Sequence, residues 1–395
     1  MSRNALLGIC LGMALGVVGC QNESTEPAAP SDAPSMALAT ATHHLRLNPS
    51  ALPASLRDRI VTSEHVIDPE AYKCRQNTRV GNWFNSQLNQ IPLAVLRTLI
   101  LDLGAPDVSL VEGFVFEPAG PQEFGYTGEF NDVMQSTQTS VKGFWNFFSP
   151  DVKLGTMKGA PVLTNVPLVT FIYENFFTDV DANGHPVPVT HANAVLYATQ
   201  LHDLVVNTRA LNGGDHPLFS FNAFAIPAIP NFVPNKIIMG DGVLEGFAAA
   251  GLGNIADLAP QAVYAHEFGH QIQFKNGYDA ETIPGQNAET SDAELTRYTE
   301  LMADAYSGYY LAHQNLGKTT NQQIRDAERA FFNLGDCAFD DPGHHGTPNQ
   351  REASVDFGIE VANQGGPVLS DQAFHALFVA KYPELIAADR PQALR

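Results

Sequence analysis

Residues 257–277 read DLAPQAVYAHEFGHQIQFKNG, and this stretch decides what the rest of the chain is built around. Asp257 can cap a helix, Pro260 suits its first turn, and Asn276-Gly277 supplies a left-handed stop, so the spacing predicts a single helix. Within it stands His266-Glu267-Phe268-Gly269-His270. An i, i+4 spacing puts both imidazoles on one helix face, a turn apart, which is the separation a tetrahedral zinc ion needs. Glu267 projects to one side, where it can reach water at such an ion without being a ligand. With 13 His in 395 residues, chance would produce this pattern about 0.02 times in the chain. Two histidines on the polar face of an amphipathic helix is therefore the reading to beat, and a third ligand is what beats it.

Moving outward, Thr296–His313 (TRYTELMADAYSGYYLAH) has the pattern of a second helix and contains Glu300 and Asp304. Glu300 can supply the third ligand. Asp304, one turn on, can accept the second ring N–H of a ligand histidine and so fix its tautomer and orientation. Ala303 and Ser307 are small enough to let the two helices approach closely. The result is a three-ligand zinc site, His266, His270 and Glu300, with one open position.

HExxH followed by a helix carrying E-x-x-x-D is the gluzincin pattern of thermolysin-like peptidases. More closely, HEFGHQIQ (266–273), ELMADAYSGYY (300–310) and His345-Gly346-Thr347-Pro348-Asn349-Gln350-Arg351 resemble the bacterial neutral zinc metallopeptidase family. The resemblance covers residues 236–358, with three motifs in order, and leaves the N-terminal part of the chain uncovered. A metzincin would need Gly at Gln273 and His at Asn276; an aspzincin would need Asp at Gln350.

The resemblance implies an α+β, zincin-like metallopeptidase domain, with a small twisted sheet packed on the HExxH helix and a mainly helical C-terminal part. It also implies that the strand Lys236–Val243 receives the substrate peptide by strand addition. In the expected chemistry, zinc activates water and Glu267 takes the proton as general base, then passes it to the leaving amine. His345 and Tyr306 are the candidates for stabilising the oxyanion. Two alternatives stand beside a peptidase: a lipid-anchored binding or assembly protein that keeps the fold with little turnover, and a zinc hydrolase of cell-wall amides.

Residues 1–20, MSRNALLGICLGMALGVVGC, carry one Arg, a short apolar run and the ending Val-Val-Gly-Cys. This resembles a bacterial lipobox, which implies a signal peptide over 1–19, lipidation of Cys20 and attachment to the cell envelope, at the outer membrane in a Gram-negative cell. Residues 20–44 are rich in Pro, Ala, Ser and Thr and are expected to be a flexible tether. An N-terminal region, 45–185, either stands alone or extends the metallopeptidase domain, 186–395. Cys74 and Cys337 remain as an even pair for an oxidising compartment and are expected to form a disulfide.

Elsewhere, Gln87–Leu103 looks helical with a break at Pro92, and Ala192–Thr208 looks helical throughout. Val108–Phe116 and Val166–Tyr173 look like strands, being short β-branched and aromatic runs, and Leu218–Ile226 and Lys236–Leu244 look extended. Asp179–Gly184 opens like a calcium-binding loop, but Thr190 stands where the bidentate Glu belongs, so a tight turn between extended segments is expected. Trp83, Phe84, Trp145, Phe147 and Phe148 read as core. Asp371–Ala387 reads as a covering helix in which His375 is structural, while His43-His44 offers only weak metal ligation.

The chain's 42 acidic and 22 basic residues give a formal net charge of -20. That excludes a nucleic-acid surface, which needs clustered Lys and Arg, and a polybasic membrane patch. The 26 Pro and 32 Gly exclude long coiled coils.

Overall fold

A computed structural model of the chain describes residues 45–53, 79–280, 283, 292–313 and 346–387, apart from 119, 147, 149, 182 and 250–257. The signal segment and tether, Cys20, His43, His44, Phe147, His345, and the expected Cys74–Cys337 bridge all lie outside the described residues. The described part is mixed α and β, mostly helical with two small sheets.

In chain order it runs β1 (Arg46–Leu47), α1 (Arg79–Leu88), α2 (Leu93–Arg97, continuing into a π turn over Thr98–Asp102), α3 (Ala105–Val115) and α4 (Asn131–Phe144). Then come β2 (Lys153–Met157), α5 (Ala160–Leu163), α6 (Val166–Phe176), β3 (Phe177–Val180), β4 (Pro186–Pro188) and α7 (His191–Asn207). The remainder is β5 (Ala223–Ile226), β6 (Lys236–Gly240), α8 (Asp241–Ala249), α9 (Leu258–Asn276), α10 (Asp292–Ala312), α11 (Pro348–Asn363) and α12 (Asp371–Ile386).

Two expected strands are helices. Val108–Phe116 lies mostly in α3 and Val166–Tyr173 in α6. The local chemistry explains both. Pro106 sits in the first turn of α3, and Asn165 caps α6 by accepting the Leu168 N–H at 3.2 Å, with Pro167 just inside. The two extended stretches are shorter than expected: 218–226 is a 3-10 turn leading into β5, and 236–244 is β6 followed by α8. The turn expected at Asp179–Gly184 joins β3 to β4, which pair antiparallel. Within it, the Asp181 carboxylate accepts the Asn183 and His185 N–H groups, each at 2.8 Å.

The sheet that supports the HExxH helix has the order β2-β6-β5. β2 pairs parallel to β6, and β5 pairs antiparallel to it, with Ala223 opposite Met239 and Ile226 opposite Lys236. This overturns the expectation that the 236–243 segment offers a free edge to a peptide: β6 is the central strand, and both of its edges are taken. It also means that the sheet draws one strand from the 45–185 region, and among the described residues one hydrophobic cluster takes in side chains from Leu45 to Leu385.

α3 covers one face of this sheet. The Phe114 and Phe224 rings meet edge to face with centroids 4.8 Å apart, and buried Lys236 donates from Nζ to the carbonyls of Phe114 (3.1 Å) and Phe116 (2.7 Å) at the end of α3. α9 packs against β5 and β6 and is buried along nearly its whole length. Gln271 ties it down, donating from Nε2 to the carbonyls of Ile226 and Lys236, each at 2.9 Å. Trp145, just after α4, stacks on Phe268 with planes 6° apart, and Phe148 meets the same ring edge to face. Together with Phe84 at 2 % exposure, these aromatics are core, while Trp83 is only partly buried.

Candidate metal centre

The centre forms where α9 meets α10. Gly269 makes that meeting close: a β-carbon on it would lie 3.0 Å from the Ala303 Cα and 3.3 Å from the Tyr306 Cβ. Ser307 donates to the Ala262 carbonyl at 2.8 Å and fixes the register of the two helices. The small residues in both motifs thus bring Glu300 over the histidine face of α9.

The three ligand candidates converge. His266 Nε2 and His270 Nε2 are 3.2 Å apart, and each lies 3.3 Å from one oxygen of the Glu300 carboxylate. Bonds of about 2.0–2.1 Å at tetrahedral angles require ligand atoms about 3.3–3.4 Å apart. The contact between the two imidazoles and the contact of each with its own Glu300 oxygen are close to that spacing, and the buried group, with one ligand atom from each residue within 4.8 Å of the others, could hold a metal ion.

The far nitrogens of both rings are engaged. His266 Nδ1 lies 2.8 Å from Asp304 Oδ1, as expected for an orienting carboxylate. His270 Nδ1 lies 2.9 Å from Gln273 Oε1. The Gln273 amide cannot be turned round, because its Nε2 donates to the Thr299 carbonyl at 2.7 Å. Both Nδ1 atoms therefore carry a proton, which leaves Nε2 of each ring as the atom that faces Glu300 and would meet an ion. Phe274 stacks along the His270 ring, at 6.2 Å between centroids.

Arg351, from α11, closes the arrangement from behind. Its Nε donates to Asp304 Oδ2 at 2.8 Å and its Nη2 to Asp304 Oδ1 at 2.7 Å, while Nη2 also lies 3.6 Å from Glu300 Oε2. Asp304 Oδ1 is therefore shared between Arg351 and His266.

The electrostatics call for positive charge where the ligand atoms meet. Burial alone would push the His266 imidazole down, but its hydrogen bonds to Asp304 and Glu300 outweigh burial and raise it to about 10. The Glu267 carboxyl is raised by burial, with the two histidines and Arg351 pulling the other way. Glu267 is only 5 % exposed and makes no hydrogen bond with the described residues, which leaves its carboxylate uncommitted beside the ligands.

Tyr306 is not among the side chains that meet here. It lies six residues past Glu300 on α10, about 240° further round the helix at 3.6 residues per turn. Its hydroxyl donates to the Asp371 carbonyl at 3.3 Å, and its ring packs on Trp145 and Phe374. His375, on α12, stacks on Tyr278 with centroids 3.8 Å apart, away from the ligand set.

The sequence reading assigned no role to Gln273 or Arg351. Arg351 closes the third motif, so its presence there was a signal; Gln273 had only its place three residues after a candidate ligand, which many surface residues share. The chain matches no known protein family, no curated protein and no solved structure.

Proposed function

We propose that this chain is a zinc-dependent peptidase with a zincin-like domain, in which His266, His270 and Glu300 hold the ion and Glu267 is the general base. One observation carries the reading: the Nε2 atoms of His266 and His270 lie 3.2 Å apart and each lies 3.3 Å from an oxygen of the Glu300 carboxylate, beside a buried Glu267 carboxylate that makes no hydrogen bond with the described residues. A purely structural zinc site has four protein ligands and no use for such a group. Among the described residues, no fourth His, Cys, Asp or Glu joins the ligand set.

When bound, zinc supplies Lewis acidity, making water acidic near neutral pH and polarising a carbonyl oxygen. Glu267 takes the proton from the attacking water and delivers it to the leaving amine. The ionised Glu300 holds the ligand position while Asp304 and Gln273 keep both imidazoles in the Nδ1–H tautomer. The resemblance of the three ordered motifs to neutral zinc metallopeptidases supports a peptide as substrate. β5 suits such a substrate better than β6 does, because it stands at the edge of the sheet next to α9. The lipobox-like ending at Cys20 would anchor the enzyme to the cell envelope.

The test is Glu267→Gln in the purified chain from residue 43. It is expected to bind zinc as the wild type does and to lose about 100- to 10,000-fold in hydrolysis of a generic protein substrate. Full turnover by the variant would remove Glu267 from the mechanism. Zinc binding without hydrolysis of proteins by the wild type, but with release of soluble fragments from peptidoglycan, would move the activity to cell-wall amides.

A further inference from the structure

We infer that Arg351 is a positioning residue of the metal centre, and that it sets the geometry of two ligands at once, His266 through Asp304 and Glu300 by direct approach. This rests on the metal site proposed above but not on the bond that site cleaves.

The guanidinium is 2 % exposed in its side chain and Asp304 is fully buried, so the pair is sealed from water. Its two parallel bonds fix the plane of the Asp304 carboxylate, which a single point charge would leave free to rotate. That plane decides where Oδ1 stands, and Oδ1 receives the His266 Nδ1–H. Ring orientation follows, and with it the direction of the Nε2 lone pair. The same Nη2 nitrogen lies 3.6 Å from Glu300 Oε2, on the carboxylate that faces both histidines.

Three features place Arg351 where it can do this. Thr347 and Gln350 form a reciprocal capping box at the start of α11, which fixes the first turn that carries Arg351. Ser354, three residues on, donates to the Leu301 carbonyl on α10. Val355 and Gly358 complete the same face, where α11 approaches the backbone of α10 at Gly308 and Ala305. The two helices are thus locked in rotation and spacing, and the arginine is held to Asp304 by the scaffold.

Among the described residues, no such charge stands behind the other ligand histidine. His270 leans on the neutral amide of Gln273, from its own helix. Disturbing Arg351 should therefore alter the His266 and Glu300 side of the centre and leave the His270 side in place.

The experiment uses the purified chain from residue 43 with R351M, R351K, D304N and the double variant D304N/R351M. Zinc affinity is read by chelator competition, and ligand geometry by the visible d–d absorption of the Co2+-substituted protein. Expected are a loss of zinc affinity of about 10- to 100-fold for R351M, a changed Co2+ spectrum, and a smaller loss for R351K. D304N/R351M should lose less than the product of its two single losses, because the arginine acts partly through that carboxylate. A purely structural role would reduce the folded fraction yet leave the spectrum of the folded, Co2+-loaded protein as in the wild type. That result, or unchanged affinity in R351M, overturns the proposal. If R351M does not fold, R351K decides, and a wild-type spectrum and affinity in R351K is then the overturning outcome. A wild type that binds metal but cleaves no protein defeats the peptidase reading and leaves this one standing; a wild type that binds neither Zn2+ nor Co2+ defeats both.

Discussion

Gly358 lies directly against Ala305: a β-carbon on the glycine would fall 2.1 Å from the Ala305 carbonyl oxygen. The contact is reciprocated, since a β-carbon on Gly308 would fall 2.3 Å from the Val355 carbonyl oxygen. Backbone meets backbone at both points, so no side chain can swing aside to relieve a larger residue. The α10–α11 crossing, and with it the Arg351–Asp304 contact, depends on these two glycines.

Gly358→Ala should therefore force α11 away from α10. The cost should reach the upper end of the usual overpacking range, about 3 kcal/mol. A shift of the urea midpoint reports it. Zinc affinity should fall as well, because Asp304 loses its clamp. A variant with wild-type stability would show that the two helices can separate freely.

Metal removal should destabilise the folded chain. A ligand that binds only the native state at 100 times its dissociation constant contributes about 2.7 kcal/mol. Dialysis against a chelator is expected to lower the melting temperature, and Zn2+ is expected to restore it. Mg2+ should not, since it demands octahedral oxygen ligands and the centre offers two imidazoles. An unchanged melting curve after chelation would count against a metal bound at His266, His270 and Glu300.

Gln273→Leu should weaken zinc binding without touching a ligand. The change deprives the His270 Nδ1–H of its acceptor and the Thr299 carbonyl of an amide donor. Loss of such an outer partner typically costs about 10- to 100-fold in metal affinity. The stranded imidazole N–H adds about 1–3 kcal/mol of destabilisation. Chelator competition and denaturant titration on the same sample separate the two effects.

Acid should expose a separate weakness at His216. Burial pushes this imidazole down to about 4, while its Nδ1 accepts the Leu218 N–H at 3.0 Å. Protonation costs that acceptor. The folded pKa lies below the unfolded value of 6.5, so the stability is complete above about 6.5 and is lost as pH falls towards 4, by at most about 3 kcal/mol. In His216→Asn, whose side-chain oxygen can still accept, this loss is absent. The stability gap between wild type and variant should therefore shrink on going from pH 7 to pH 4.5, and a constant gap would show that His216 does not titrate there.

How legible the sequence was depended on what each segment buries. α9, α10, α7 and α12 could be read because polar and apolar positions alternate with helical spacing, or because caps mark the ends. α3 and α6 could not be read by periodicity. Val108 to Val111 are all buried, and a short run apolar on every side looks the same as a buried strand. Their true signals were the Pro106 and Asn165-Val166-Pro167 starts. The two candidate ligand histidines were legible because i, i+4 spacing is local, and Glu300 because its motif follows theirs on the next helix. The Arg351–Asp304 pair spans 47 residues and exists only because Gly308 and Gly358 permit the crossing, which no local pattern announces. The central place of β6 was hidden for a similar reason, since its partner β2 lies far upstream.

That pairing also orders events in time. Because β2 is joined to β6 in parallel, the platform beneath α9 cannot close until the intervening chain, with α5, α6 and α7, has been laid down. Such distant pairings carry a large loop-closure cost and slow folding. The histidines of α9 then wait for α10, and Asp304 waits for α11. The centre is complete only when α9, α10 and α11 have all docked, so an ion held there would favour only molecules in which the three helices have met.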